Sequence, residues 1–287
     1  MLVVMPSRSP LHPRFGLKVD DVDLTALNRS MIEELKKALA EHGILLFRDQ
    51  VLSEDQYEAF SRQIGDGRLE MSARRISHSQ NRPYVSQLTN FRAETGEPLG
   101  FGGNDTDYWH SDQEFRETPA SLAALYCKVP SPVGGQTSFA GTAVRHLGIK
   151  ASTLDRIRHL WSTRVPASTH DNVEHIEVRH PVVLRSPIDG REFLYHSENT
   201  RRFIGLDDIS GRALKRELLD LILNPQNIYR HDWRAGDLLV YDNTQVVHRR
   251  EAFEGNRWLQ GTKIFASSEL FIRPDGARCK PEEDEED

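Results

Sequence analysis

The chain has 287 residues, 38% of them hydrophobic, with 19 glycines and 14 prolines, which is long enough to bury a core without disulfides or structural metals. No run reaches the ~18–20 apolar residues of a membrane span, and the N-terminus lacks the basic, apolar and cleavage segments of a secretory signal. Two cysteines, Cys127 and Cys279, suit a reducing cytoplasm rather than a disulfide framework, and the net charge of −6 comes from the acidic run 282–287, so no charge surplus is left for nucleic acid.

In chain order, Ser30-Met31-Ile32-Glu33 has the form of a capping box and predicts a helix carrying Leu35, Ala38 and Leu39 inward. Ile44-Leu45-Leu46-Phe47 predicts a buried strand. Ser53-Glu54-Asp55-Gln56 is a second capping box, leading into Tyr57, Phe60 and Ile64 and stopping at Gly65. Short β-rich segments follow at 84–88, 108–110, 122–129, 137–140, 181–184 and 192–195, with a hairpin turn over 185–191. A third helix starts at Ser210, with Leu214, Leu218, Leu219 and Ile222 as its inner face, and further strands cover 237–241, 246–248 and 258–266. Many short strands with few helices predict a mainly β sandwich or barrel with flanking helices. The polar stretches 66–83, 92–107 and 161–178 suit lids or binding loops. No linker divides the chain, so residues 1–276 are expected to form a single domain and residues 277–287 a disordered acidic tail.

The chemistry centres on Tyr108-Trp109-His110-Ser111-Asp112. On a strand, His110 and Asp112 share a face, while Trp109 points the other way into the core. One imidazole and one carboxylate, joined by a later histidine, make the two-His, one-carboxylate set that binds non-haem Fe(II) with open positions. His-x-Asp alone is weak in a chain with 12 histidines and 43 acidic residues. Its context is more specific: an apolar strand through Val240-Tyr241-Asp242, a turn, Val246-Val247-His248, and then Arg257. His170, His175 and His180 are regularly spaced without a supporting carboxylate pattern, His196 and His231 read as hydrogen-bonded strand residues, and Cys127 reads as buried and inert.

The ordered set resembles the Fe(II)- and 2-oxoglutarate-dependent dioxygenases of the taurine dioxygenase and aryloxyalkanoate dioxygenase type. The resemblance runs from Phe15-Gly16 through His42–Arg48, Trp109–Asp112, Pro130–Thr137 and Leu194–Arg202 to His248 and Arg257. It implies a double-stranded β-helix (jelly-roll, cupin-like) core, with His110, Asp112 and His248 as Fe(II) ligands. Thr137, in Gly134-Gly135-Gln136-Thr137, would help bind a carboxylate of 2-oxoglutarate, and Arg257 would clamp the distal one; Lys263 or Arg250 could supply that charge instead. The implied reaction consumes O2, releases succinate and CO2, and hydroxylates or otherwise oxidises a small organic acid or natural-product intermediate. Family members that halogenate carry a small residue where Asp112 stands.

Taurine-type members carry a second arginine four residues after the clamp, where this chain has Gly261; that departure speaks against a simple sulfonate. Substrate candidates are Arg74, Arg75, Thr106, Phe115, Asn199 and Arg202. Two substrate classes stay open: a catabolic one, an aryloxy, sulfate-ester or related acid cleaved by hydroxylation next to a heteroatom, and a biosynthetic one, an amino acid or natural-product intermediate, toward which the resemblance of the stretch from Asn224 to Phe253 leans. Relatives form dimers or tetramers, so homo-oligomerisation is open to this chain. Two other readings stay open: a zinc-dependent hydrolase or isomerase using the same ligands, and a non-catalytic small-molecule binder.

Overall fold

The computed structural model describes residues 7–73, 78–79, 82–102, 107–168 and 170–279. Its central layer is a nine-stranded sheet in the order Arg8–Pro10, Leu17–Val19, Ile44–Phe47, Leu238–Asp242, Leu122–Val129, Trp258–Ile264, Arg82–Thr89 and His78–Ser79, with Leu69–Glu70 also paired to Trp258–Ile264. The middle strands are buried on both faces and therefore read as continuous apolar runs. From Leu122–Val129, residues 122, 124 and 126 face the helices Arg29–His42 and Glu54–Ile64. Residues 123, 125 and 127 face inward, toward Phe139 and Val246. Ile44–Phe47 and Leu238–Asp242 alternate in the same way: Leu45, Phe47, Leu238 and Val240 point to the helices, and Ile44, Leu46, Leu239 and Tyr241 point inward.

Opposite lies a three-stranded sheet, Ile228–His231, Thr137–Gly141 and Val246–Arg250. Its outer face carries Ala140 and Val247 against Leu214, Leu218 and Ile222 of the helix Asp208–Ile222. The order is thus helices, large sheet, inner core, small sheet, helix. This is the mainly β architecture with flanking helices expected from the strand pattern. Among the described residues, no helix is long and apolar enough to cross a membrane.

Local details differ from expectation for physical reasons. The first helix begins at Arg29, capped by Asn28, whose Oδ1 accepts from the Met31 N–H at 3.0 Å; the asparagine is as good an acceptor as Ser30 and comes first. Asp207, not Ser210, caps the last helix, its Oδ1 accepting from the Ile209 and Ser210 N–H groups at 2.9 Å, where an anion also meets the positive end of the helix. Leu219 lies at the edge of that helix's buried face. Ser53 and Gln56 form the expected capping box.

The strand expected over 181–184 is divided between Val178–Pro181, paired with Trp161–Arg164, and Val183–Arg185, paired with Glu192–Leu194, because the chain changes sheets at Val182. Residues 161–164, expected as loop, are therefore a strand. Ala277–Arg278 pairs with Val178 and Arg179, so ordered structure extends past 276, where the tail was expected to begin. Residues 280–287 lie outside the described residues.

Candidate active site

His110 and Asp112 do not share a strand. His110 makes a single bridge to His248, with N–H to carbonyl bonds of 3.0 and 2.9 Å in the two directions. The chain then turns, and Gln113 sits at φ 57°, a left-handed conformation that costs a side-chain-bearing residue energy and is kept where surroundings enforce it. Ser111 Oγ donates to the Asn243 carbonyl at 2.6 Å, and Asn243 Oδ1 receives the Asp112 N–H at 3.4 Å. The turn, rather than β alternation, brings the carboxylate beside the imidazole. One potential ligand atom each from His110, Asp112 and His248 lies within 4.8 Å of the others.

The electrostatics suit a divalent ion. The Tyr108 carbonyl lies 3.0 Å from His110 Nδ1; a proton there leaves the Nε2 lone pair facing Asp112, an orienting contact common to ligating histidines. Burial, followed by the neighbouring His110, drives the His248 imidazole far toward its neutral form, the form that ligates. Burial alone would raise the Asp112 carboxyl, but the Lys263 ammonium holds it well below the usual carboxylate range. Lys263 Nζ and Tyr241 Oη both sit on Asp112 Oδ2, at 2.5 and 2.6 Å. Two imidazoles and one carboxylate are the donor set of non-haem Fe(II).

The three residues line a cavity of about 530 Å³ together with Thr137, Arg257, Gly261 and Lys263. Residues 257, 259, 261 and 263, along and just before the strand Trp258–Ile264, share the cavity-facing side. Arg257 is 6% exposed, stacks over Phe253 at 5.8 Å and leaves its Nε without a hydrogen-bond partner. Among the described residues no carboxylate pairs with it; burial first, and then Arg250, lower its pKa to about 10. A guanidinium buried in this way, without a charge partner among the described residues, is a candidate for ligand binding. Thr137 is buried, and its Oγ1 accepts from Trp233 Nε1 at 3.0 Å. Lys263 and Arg250, the alternative anion holders, also line the cavity, but Lys263 is engaged by Asp112.

Of the substrate candidates, Phe115 and Asn199 line the cavity. Phe115 packs against the His170 ring in a tilted pair with centroids 4.5 Å apart, and Asn199 Nδ2 donates to Glu114 at 2.9 Å. Arg202 does not reach the cavity. Its guanidinium is exposed and bonds Glu177 at 2.9 Å, because that carboxylate lies beside it on the outer surface. Arg74, Arg75 and Thr106 lie outside the described residues. Trp109 packs in the outer core, and His196 and His231 are hydrogen-bonded and buried. Sequence reasoning missed Tyr241 and the placement of Lys263; period-two alternation along 238–242 and 258–264 gives the face each side chain takes, but not the sheet register that brings both to Asp112.

A fold of two facing sheets with this ligand set in the cavity between them defines a non-haem iron oxygenase of the jelly-roll class. Residues 7–263 match the family model "Taurine catabolism dioxygenase TauD, TfdA family", and the chain belongs to that family. It is 28% identical over 268 residues, covering 86% of this chain and 92% of the relative, to the alpha-ketoglutarate-dependent 2,4-dichlorophenoxyacetate dioxygenase of Cupriavidus pinatubonensis. It is 23% identical over 254 residues to the pentalenolactone F synthase of Streptomyces avermitilis, covering 79% of this chain and 82% of that one. The solved structure of AAD-2 in complex with Mn(II) and N-oxalylglycine superposes with a TM-score of 0.79 at 22% identity, covering 92% of this chain and 98% of that one. The chain is an Fe(II)- and 2-oxoglutarate-dependent dioxygenase, an oxidoreductase. The zinc hydrolase and the non-catalytic binder lose their support.

Proposed function

We propose that His110, Asp112 and His248 hold the Fe(II), that Arg257 clamps the distal carboxylate of 2-oxoglutarate with help from Thr137, and that the substrate is a small organic acid or natural-product intermediate oxidised by hydroxylation. The observation that carries this reading is a buried guanidinium that no carboxylate pairs with among the described residues, in the same cavity as two imidazoles and a carboxylate.

Bound Fe(II) supplies the activation of O2 that couples conversion of 2-oxoglutarate to succinate and CO2 with oxidation of the substrate. The chain's own residues prepare that event. Tyr108 orients the His110 ring through Nδ1. Tyr241 and Lys263 occupy Asp112 Oδ2 and keep the carboxylate ionised and fixed. Arg257 offers a planar fork suited to two carboxylate oxygens. Leu88, Phe101, Phe115 and Val165 give the cavity an apolar wall for a carbon skeleton, and Gly261 lets Leu88 and Leu125 close in on the same side. In this reading the chain, to Arg278 at least, acts as one cytoplasmic catalytic domain that engages no nucleic acid or membrane and is open to homo-oligomerisation.

The test supplies the protein with Fe(II), 2-oxoglutarate, O2 and a panel of organic acids, and measures succinate. Succinate formation should require added iron and be lost in His110→Ala. Turnover that persists in His110→Ala contradicts the ligand assignment.

A further inference from the structure

Asp112 and Glu114 stand two residues apart and face opposite ways. Gln113, with its left-handed backbone, reverses the chain between them. Asp112 then lines the cavity, while Glu114 turns back into the protein to meet Arg164 Nε at 2.7 Å, the two side chains being 2% and 1% exposed. Arg164 is fixed in turn by Ser162 Oγ at 2.9 Å and by the Tyr195 carbonyl at 3.0 Å.

Glu114 does more than neutralise an arginine. Its Oε1 accepts from the Ser111 N–H at 3.3 Å, which belongs to the peptide joining His110 to Ser111 and so lies between two metal-ligand candidates. Both its oxygens accept from Ser197 Oγ, at 2.9 and 2.8 Å, and Oε1 accepts from Asn199 Nδ2 at 2.9 Å. Asn199 lines the cavity. One carboxylate therefore ties the ligand segment to the cavity wall, and the arginine behind it offsets the cost of burying that charge.

We propose that Glu114, held by Arg164, is a positioning residue for the metal centre: it fixes the peptide between His110 and Asp112 and joins it in one frame to the wall at Ser197 and Asn199. The inference rests on the reading that His110, Asp112 and His248 hold Fe(II). Partners that orient ligands behind a metal site are commonly worth about 10–100-fold in metal affinity.

The experiment measures Fe(II) affinity of the full chain without O2, by competition with a chromophoric chelator, at a temperature where unfolding scans show each variant folded. Glu114→Gln suits it because both carboxylate oxygens accept. An amide in their place sets a donor against either Arg164 or the Ser111 N–H, whichever way it turns. Its Fe(II) affinity should fall by about 10–100-fold. The double variant Glu114→Met with Arg164→Met removes both charges, a change that buried pairs commonly tolerate in stability. It should fold and still bind Fe(II) about 10-fold or more weakly, which a purely structural role for the pair would not produce. A folded Glu114→Gln or double variant that binds Fe(II) as the unaltered protein does overturns the inference. If the unaltered protein takes up no Fe(II), it is the ligand assignment that fails.

Discussion

Arg164 and Arg257 are buried to a similar degree, 0% and 6% exposed, yet their surroundings are opposite. Arg164 has its charge answered inside the fold by Glu114 and by neighbouring hydroxyl and carbonyl oxygens. Arg257 has a phenyl ring, a nearby Arg250 and a cavity. The first is a charge the fold neutralises for itself; the second is a charge with no carboxylate partner among the described residues, as the proposed 2-oxoglutarate clamp requires. Burial alone therefore does not mark a binding residue, whereas burial without a counter-ion does.

Removing each arginine should separate the two cases. Arg164→Met leaves Glu114 buried and unpaired and should cost about 3–5 kcal/mol of stability in the metal-free protein, read by urea unfolding. Arg257→Met removes an unanswered buried charge, so unfolding stability should hold or rise. Its binding of 2-oxoglutarate should weaken by about 2–4 kcal/mol, or roughly 30- to 1,000-fold, in calorimetry on the metal-loaded protein. A loss of stability in Arg257→Met matching that of Arg164→Met would erase the distinction.

The Arg164 side also predicts a pH response. Burial, and then Arg164 itself, depress the His180 and His196 imidazoles to about 4 and about 3. Their folded values lie below the unfolded value, so the stability they contribute is present above that value and is lost as pH falls. Each should contribute a loss of about 2 kcal/mol between pH 6.5 and pH 5. Urea unfolding at the two pH values checks this, and His196→Gln should remove about half of the pair's drop. On the cavity side a smaller effect is expected. Thr137→Ala should raise KM for 2-oxoglutarate by about fivefold, worth about 1 kcal/mol, with kcat nearly unchanged.

Much of this frame was legible in the sequence because its signals are local. The Ser53 capping box, the buried run Ile44–Phe47 and the strand Leu122–Val129 follow from neighbouring residues. The ligand candidates could be named because His110, Asp112 and His248 fall in ordered motifs. How they meet was not legible: a turn held by Asn243 and Glu114 places Asp112, and strand alternation does not. Contacts that depend on sheet register or long separations were equally hidden. Lys263 and Tyr241 reach Asp112 from strands on either side of Leu122–Val129, and Arg164 meets Glu114 across 50 residues of chain. Arg202 misled for a related reason: its segment approaches the cavity, but Glu177 on the surface holds its side chain.

The most direct measurement is an anaerobic titration of 2-oxoglutarate into the Fe(II)-loaded protein, followed by visible absorption of the iron–oxoglutarate complex. A charge-transfer band should saturate at one equivalent per chain, need far higher 2-oxoglutarate in Arg257→Met, and be absent in His110→Ala. A band that forms equally well in all three proteins, or in none of them, would contradict the proposed site.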